Sequence, residues 1–178
     1  MKRIVTLIIP LLILVTVAFA QTKTVINKAN IKFQIKNLGI NTGGDINGLQ
    51  ATIQFDPAKL DGSTIDATLD ANSVNTDNDL RDKHLRSDEF FDVEKYPKIT
   101  IKSASFKHKS GDNYTGQFNL TIKDKTKAFE IPFTYTTTGN TAVFKGNFKL
   151  NRLDFGVGGK SFVMADDVFI TIEVEAAK

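Results

Sequence analysis

The residues best suited to chemistry lie in one charged stretch, residues 77–92. It contains the adjacent carboxylates Asp88 and Glu89 and one of the chain's two histidines, His84. Paired carboxylates can act as general acid and base, and a histidine can transfer protons or bind a metal. Neighbouring carboxylates among basic residues are more often a solvated surface, however, so the stretch alone predicts no catalytic site.

Other signatures of catalysis are absent from the sequence. The chain has no cysteine and no G-x-S-x-G motif, which argues against a covalent hydrolase mechanism. Two histidines, His84 and His108, cannot build a three-histidine metal site, and the glycines at 156, 158 and 159 lack the context of a phosphate-binding loop. We therefore predict that the protein is not an enzyme and needs neither a metal nor a cofactor.

The charged stretch is predicted to be a short helix inserted between two blocks of β-strands. Thr76 precedes it as the expected capping residue. Leu80, His84 and Leu85 would then share the buried side of about three helical turns. Pro97 ends the segment, because proline lacks an N–H donor and holds the preceding residue extended.

Alternating apolar and polar residues on both sides of this helix predict eight β-strands. Residues 31–36, 118–123 and 168–174 show the alternation most clearly. Short turns join the strands and no βαβ pattern occurs, so the sheet is predicted to be antiparallel and the fold all-β. Eight strands can close into an up-and-down barrel that is either packed by side chains or holds one small ligand.

Residues 1–20 have the pattern of a signal peptide, with Lys2 and Arg3 before an apolar run and small residues at 18 and 20. Cleavage would leave one exported domain, 21–178, without stable membrane insertion. Without Lys2 and Arg3, the 23 basic residues fall to 21 against 20 acidic ones, so we expect no nucleic-acid partner. An exported domain without cysteine fits the periplasm of a Gram-negative bacterium.

All but one of the 14 phenylalanines lie after residue 20, most of them at inward strand positions. The rings could fill a solid barrel, as in a non-enzymatic, stress-related interaction module, or they could line an apolar cavity. Phenylalanine and isoleucine offer no hydrogen bonds, so only a lipid-like guest would suit such a cavity. The predicted lining consists of Phe33, Ile35, Phe55, Phe118, Phe133, Phe144 and Phe148.

Several motifs resemble the YceI-like family. They are FQIKNLG at 33–39, IQFDP at 53–57, RDKHLRSDEFFD at 81–92 followed by YP at 96–97, LTI at 120–122 and NRLDFG at 151–156. The resemblance implies a lipocalin-like, eight-stranded barrel that is exported to the periplasm and carries a polyisoprenoid or similar amphiphilic lipid. One departure is Asn37, where the family usually has a histidine.

Within this resemblance, Asn37, His84 and Arg86 are predicted to hold a polar or anionic head group near the opening of the barrel. For Arg86 the alternative is a surface ion pair with a nearby carboxylate. Arg152 and Asp154 are predicted to close the barrel electrostatically. An enzyme that acts on lipid head groups through His84 stays open as an alternative, as does a homodimer.

Overall fold

The computed structural model describes residues 24–178 and shows there one nine-stranded antiparallel sheet with one α-helix. The predicted signal peptide, residues 1–20, lies outside the described residues. Between residues 24 and 178, no helix has both the length and the apolar character needed to cross a membrane. The elements are β1 (Ile26–Asn37), β2 (Ile40–Asp45), β3 (Gln50–Gln54), β4 (Thr64–Asp70), α1 (Asp79–Arg86), β5 (Lys98–Ser110), β6 (Asn113–Ile122), β7 (Lys125–Thr138), β8 (Thr141–Asn151) and β9 (Met164–Ala177).

The strand order is β2-β1-β9-β8-β7-β6-β5-β4-β3, which leaves β2 and β3 at the two edges of the sheet. The sheet curls until these edges approach each other. Just before β1, the Thr24 N–H donates to the Ala51 carbonyl of β3 at 2.9 Å, and the Thr24 hydroxyl accepts from the Ile53 N–H at 2.8 Å. The predicted all-β, antiparallel, up-and-down barrel with a helical insertion is therefore confirmed.

The sequence predicted eight strands, and the additional one is β2. Two adjacent glycines, Gly43 and Gly44, are expected to interrupt a strand, but they lie within β2 opposite Gln34 and Phe33 of β1. A Cβ atom at Gly44 would collide with the carbonyl oxygen of Asn75, which pairs with the end of β2. Glycine is needed here because another backbone approaches closely, and it does not end the strand.

The antiparallel order gives the barrel two distinct ends. The β1–β2 turn, the segment 71–97 with α1, and the 152–163 connection lie at one end, which we call the helical end. The β5–β6 and β7–β8 turns lie at the other end, which we call the ring end.

The ring end is filled by a cluster of aromatic side chains around Phe55. Its ring lies 4.8–5.7 Å, centroid to centroid, from five others, mostly edge to face, an arrangement that favours aromatic packing. Burial raises the pKa of the Tyr135 phenol above its ordinary value, so the phenol is held neutral here. The cluster consists of Phe55, Phe106, Tyr114, Phe133, Tyr135 and Phe144.

The helix forms where predicted, but its cap and buried face differ from the prediction. Asn78 is the cap, since its side chain accepts from the Arg81 N–H at 2.9 Å. Thr76 is instead buried and donates its N–H to the buried Asp82 carboxylate at 2.9 Å. Because Asp82 faces inward, Leu80, two residues earlier, points to water with 83% of its surface exposed. The prediction that Leu80 is buried was wrong.

Candidate functional site: an apolar cavity in the barrel

A cavity of about 250 Å³ occupies the barrel between the ring cluster and the helical end. Its wall is built by the inward positions of the strands, since side chains alternate between the two faces of a sheet. Almost no polar atom of the described residues faces it. Lining residues include Ile31, Phe33 and Ile35 of β1, Ala51 and Ile53 of β3, Ala67 and Leu69 of β4, Ile99 and Ile101 of β5, Phe118 and Leu120 of β6, and Val168, Ile170 and Ile172 of β9.

This space is too large to be a packing defect. A single water needs about 10–15 Å³ of such volume, so the cavity exceeds that requirement many times over. Water gains no hydrogen bonds from an apolar wall, and a sugar or nucleotide would lose its hydration without replacement. The cavity is therefore suited to an apolar chain.

The helical end of the cavity is bordered by Leu85 of α1, by Phe90 and Phe91 after it, and by Val157 and Met164. The two parts of this border are joined to each other. The Gly158 N–H donates to the carbonyl of Glu89 at 2.9 Å, which joins the 152–163 connection to the helical segment.

Arg152 holds the connection in place from inside the barrel. Only 3% of its surface is exposed, and its guanidinium donates to the carbonyls of Ala165 and Val157, each at 2.9 Å, and to the Asp166 carboxylate at 3.1 Å. Arg152 was predicted to act together with Asp154, but Asp154 is exposed and Asp166 is the partner. The chain enters a short 3-10 helix at Arg152. The side chains of Arg152 and Asp154 therefore do not point to the same side, as residues two apart on a strand would.

Five of the seven predicted lining residues border the cavity. Phe55 lies instead at the centre of the ring cluster, and Phe148 packs against Phe129 with a centroid distance of 5.4 Å. The sequence prediction favoured phenylalanine and so passed over Ala67, Met164 and other aliphatic lining residues, although strand alternation could have indicated many of them. The five that border the cavity are Phe33, Ile35, Phe118, Phe133 and Phe144.

The three predicted head-group residues do not converge on the cavity. Asn37 is exposed at the end of β1, where it pairs with Met164. Arg86 donates to the backbone carbonyls of Asn72 at 2.8 Å and Val74 at 2.7 Å, so it joins parts of the helical segment and has no carboxylate partner among residues 24–178.

His84 lies on the outer side of α1. Its side chain is 58% exposed, and Nε2 lies 2.8 Å from a Glu89 carboxylate oxygen. Its ring meets that of Phe90 edge to face at 4.8 Å. Over the described part of the chain, no three potential metal-ligating side chains come together.

Replacing His84 by alanine is therefore expected to leave binding of an apolar chain within about twofold of the unchanged protein, because the imidazole does not border the cavity and its contact with Glu89 is exposed to water. Titration of the His84→Ala variant with a fluorescent long-chain lipid measures this. A loss of binding or of a measurable lipid turnover would instead place His84 at a reactive site.

One antiparallel sheet curled around an apolar cavity, with a helix at one end, defines a barrel-type binding domain. The family model of the YceI-like domain matches residues 23–176, and the chain belongs to the YceI-like family. A UPF0312 protein of Pectobacterium atrosepticum is 32% identical over 157 residues, covering 84% of this chain and 81% of that protein. The resemblance inferred from the motifs is confirmed.

Two solved structures share the fold. BcnA of Burkholderia cenocepacia has a TM-score of 0.79 at 26% identity, covering 84% of this chain and 96% of BcnA. A polyisoprenoid binding domain from Saccharophagus degradans has a TM-score of 0.71 at 11% identity, covering 89% of this chain and 99% of that domain. At that identity the second likeness concerns the fold alone.

Proposed function

We propose that this protein binds the apolar chain of a polyisoprenoid or similar amphiphilic lipid and carries it through the periplasm. The observation that carries the proposal is the cavity, whose wall presents almost no polar atom of the described residues. The fold is shared with a domain that binds polyisoprenoid, which adds support. The pattern of residues 1–20 supports export.

Burial of the chain would supply the affinity. Each buried CH₂ contributes about 0.8 kcal/mol, so ten carbons give about 8 kcal/mol, near the value for a micromolar dissociation constant. Immobilising the guest opposes this gain. A chain of a few prenyl units is therefore about the minimum for firm binding.

Selectivity would concern the chain more than the head group. A polar head group finds no partner inside the cavity and would stay at the helical end, in contact with water. Asn37 borders that end through its pairing with Met164 and is the best placed of the three predicted head-group residues. His84 and Arg86 already have partners of their own. The proposed activity is binding, with no chemical step.

The test is to purify the protein from the periplasm, extract it with organic solvent and analyse the extract by mass spectrometry. We expect one apolar chain per barrel, and we expect the stripped protein to take up a polyprenol again. A protein that carries no lipid and refuses added lipid would contradict the proposal and favour an interaction module. Chemically altered lipid after incubation would favour an enzyme.

A further inference from the structure

Four large apolar side chains stand exposed together at the helical end. The exposed fraction is 72% for Leu38, 70% for Ile40 and 51% for Val163, and Phe162 is fully exposed. They lie in the β1–β2 hairpin and at the end of the 152–163 connection. These two segments are joined, since the Leu38 N–H donates to the Val163 carbonyl at 2.7 Å. We call these four residues the apolar tip.

The backbone of the tip has an unusual conformation at Leu38. Leu38 has φ +52°, in the left-handed region, directly before Gly39 in the β1–β2 turn. Such hairpin turns favour Asn-Gly, and a branched side chain at positive φ is unfavourable. A leucine here is unfavourable for stability and exposes apolar surface, and strained residues of this kind cluster at ligand-contacting and switch sites.

The second turn is also ordered. The Ser161 hydroxyl accepts from the N–H groups of Val163 at 3.2 Å and Met164 at 3.1 Å, and Phe162 stands at the apex of this turn. Met164 and Ile35 both line the cavity. Met164 pairs with Asn37, two residues after Ile35 and directly before Leu38. The tip therefore continues the apolar lining out to the surface.

Positive charge flanks the tip. Lys36 and Lys160 are exposed, and neither forms an ion pair with a residue in the range 24–178. The acidic residues at the start of β9 are already engaged, Asp166 by Arg152 and Asp167 by Lys149. Exposed apolar side chains beside unpaired lysines match the interface of a bilayer with anionic head groups.

We propose that the apolar tip docks the helical end on an anionic phospholipid surface, with Phe162 and Leu38 inserted among the acyl chains and Lys36 and Lys160 on the phosphates. The inference rests on the proposed function, because docking in this orientation turns the helical end of the cavity toward the bilayer. A lipid chain could then pass between membrane and barrel without crossing water.

The chain has no tryptophan, so one introduced tryptophan reports on its own surroundings. The Phe162→Trp variant is mixed with vesicles of phosphatidylcholine containing about one-third phosphatidylglycerol. We expect a blue shift of its emission. The matched control is Phe169→Trp, because Phe169 is 55% exposed but lies on the outer wall of β9. The control is expected to show no shift.

Co-sedimentation with the same vesicles gives the size of the effect. Phe162→Ser is expected to weaken binding about tenfold, because the burial of one aromatic side chain among the acyl chains is lost. Phe169→Ser should leave binding unchanged. Lys36→Gln and Lys160→Gln should each weaken it about fivefold. Leu38→Asn should weaken binding while leaving the fold at least as stable, which separates docking from folding.

The proposal is overturned if the unchanged protein does not bind these vesicles, or if Phe162→Ser binds as well as Phe169→Ser. All variants have the same N-terminal residues, so any difference in vesicle binding among them is due to the substituted side chain. Uptake of a polyprenol from detergent is measured in parallel. Uptake without tip-dependent docking overturns this inference alone, and tip-dependent docking without uptake contradicts the proposed function alone.

Discussion

Replacing Ala67 by phenylalanine is expected to weaken lipid binding strongly while the barrel stays folded. Ala67 lines the cavity from β4, facing it together with its neighbour across the ladder, Ala51. A phenyl ring placed there would occupy space needed by about four methylenes of a bound chain. At about 0.8 kcal/mol each, this is roughly 3 kcal/mol, or about a 100-fold loss of affinity.

The effect on stability separates a hollow barrel from a solid one. In a filled core an additional ring costs about 1–3 kcal/mol, whereas in an empty apolar cavity it gains contacts and leaves the free energy of unfolding unchanged or higher. Urea unfolding followed by circular dichroism measures this, together with titration of a fluorescent polyprenyl lipid. Ala128→Phe is the matched control, because Ala128 is exposed on β7. Strong destabilisation by Ala67→Phe with unchanged lipid binding would contradict a lipid site in this cavity.

The phenylalanines were predicted either to fill the barrel or to line a cavity, and each interpretation describes one part of the barrel. Phe55 and its neighbours make the ring end solid, whereas Phe33 and Phe118 border open space. Strand alternation identifies an inward position but not what lies opposite it. Whether a ring meets another ring or a cavity depends on strand register and on the curl of the sheet. Neither can be inferred from the sequence of a single strand.

Local sequence was a good guide to the strands and a weaker one to glycines and caps. Glycine is needed at position 44, inside a strand, because the backbone of Asn75 approaches it, and these two residues lie 31 positions apart in the chain. Thr76 and Asn78 are both suitable caps by residue type, but the buried Asp82 engages Thr76 and Asn78 caps the helix. At Gly44 the deciding contact is long-range, whereas at Thr76 it comes from the carboxylate of Asp82, six residues further along the chain.

The site was predictable in kind and less so in detail. The shortage of polar groups at inward positions correctly indicated an apolar interior. The head-group prediction relied on polar residue types expected near the opening of the barrel, and Arg86 is instead engaged by backbone carbonyls of the helical segment. No local pattern marks which arginine is used structurally, because backbone acceptors are present at every position.

Arg152→Leu is expected to lower the free energy of unfolding by about 3 kcal/mol, because two backbone carbonyls lose a donor in a region shielded from water. These carbonyls belong to Val157 and Ala165, and the Arg152 side chain that serves them is 3% exposed. Leucine keeps the apolar contacts of the arginine stem, so the loss reports the hydrogen bonds. Urea unfolding followed by circular dichroism measures it.

The matched variant Asp166→Asn separates the carbonyl bonds from the ion pair. The Asp166 side chain is 44% exposed, so water screens its attraction to Arg152 and the expected loss is below about 1 kcal/mol. If Asp166→Asn costs as much as Arg152→Leu, the ion pair and not the carbonyl bonds holds the connection. With Arg152→Leu, the 152–163 connection should also loosen where it borders the cavity and carries Phe162. A weaker lipid affinity in this variant, absent from Asp166→Asn, would link the order of that connection to the binding of the chain.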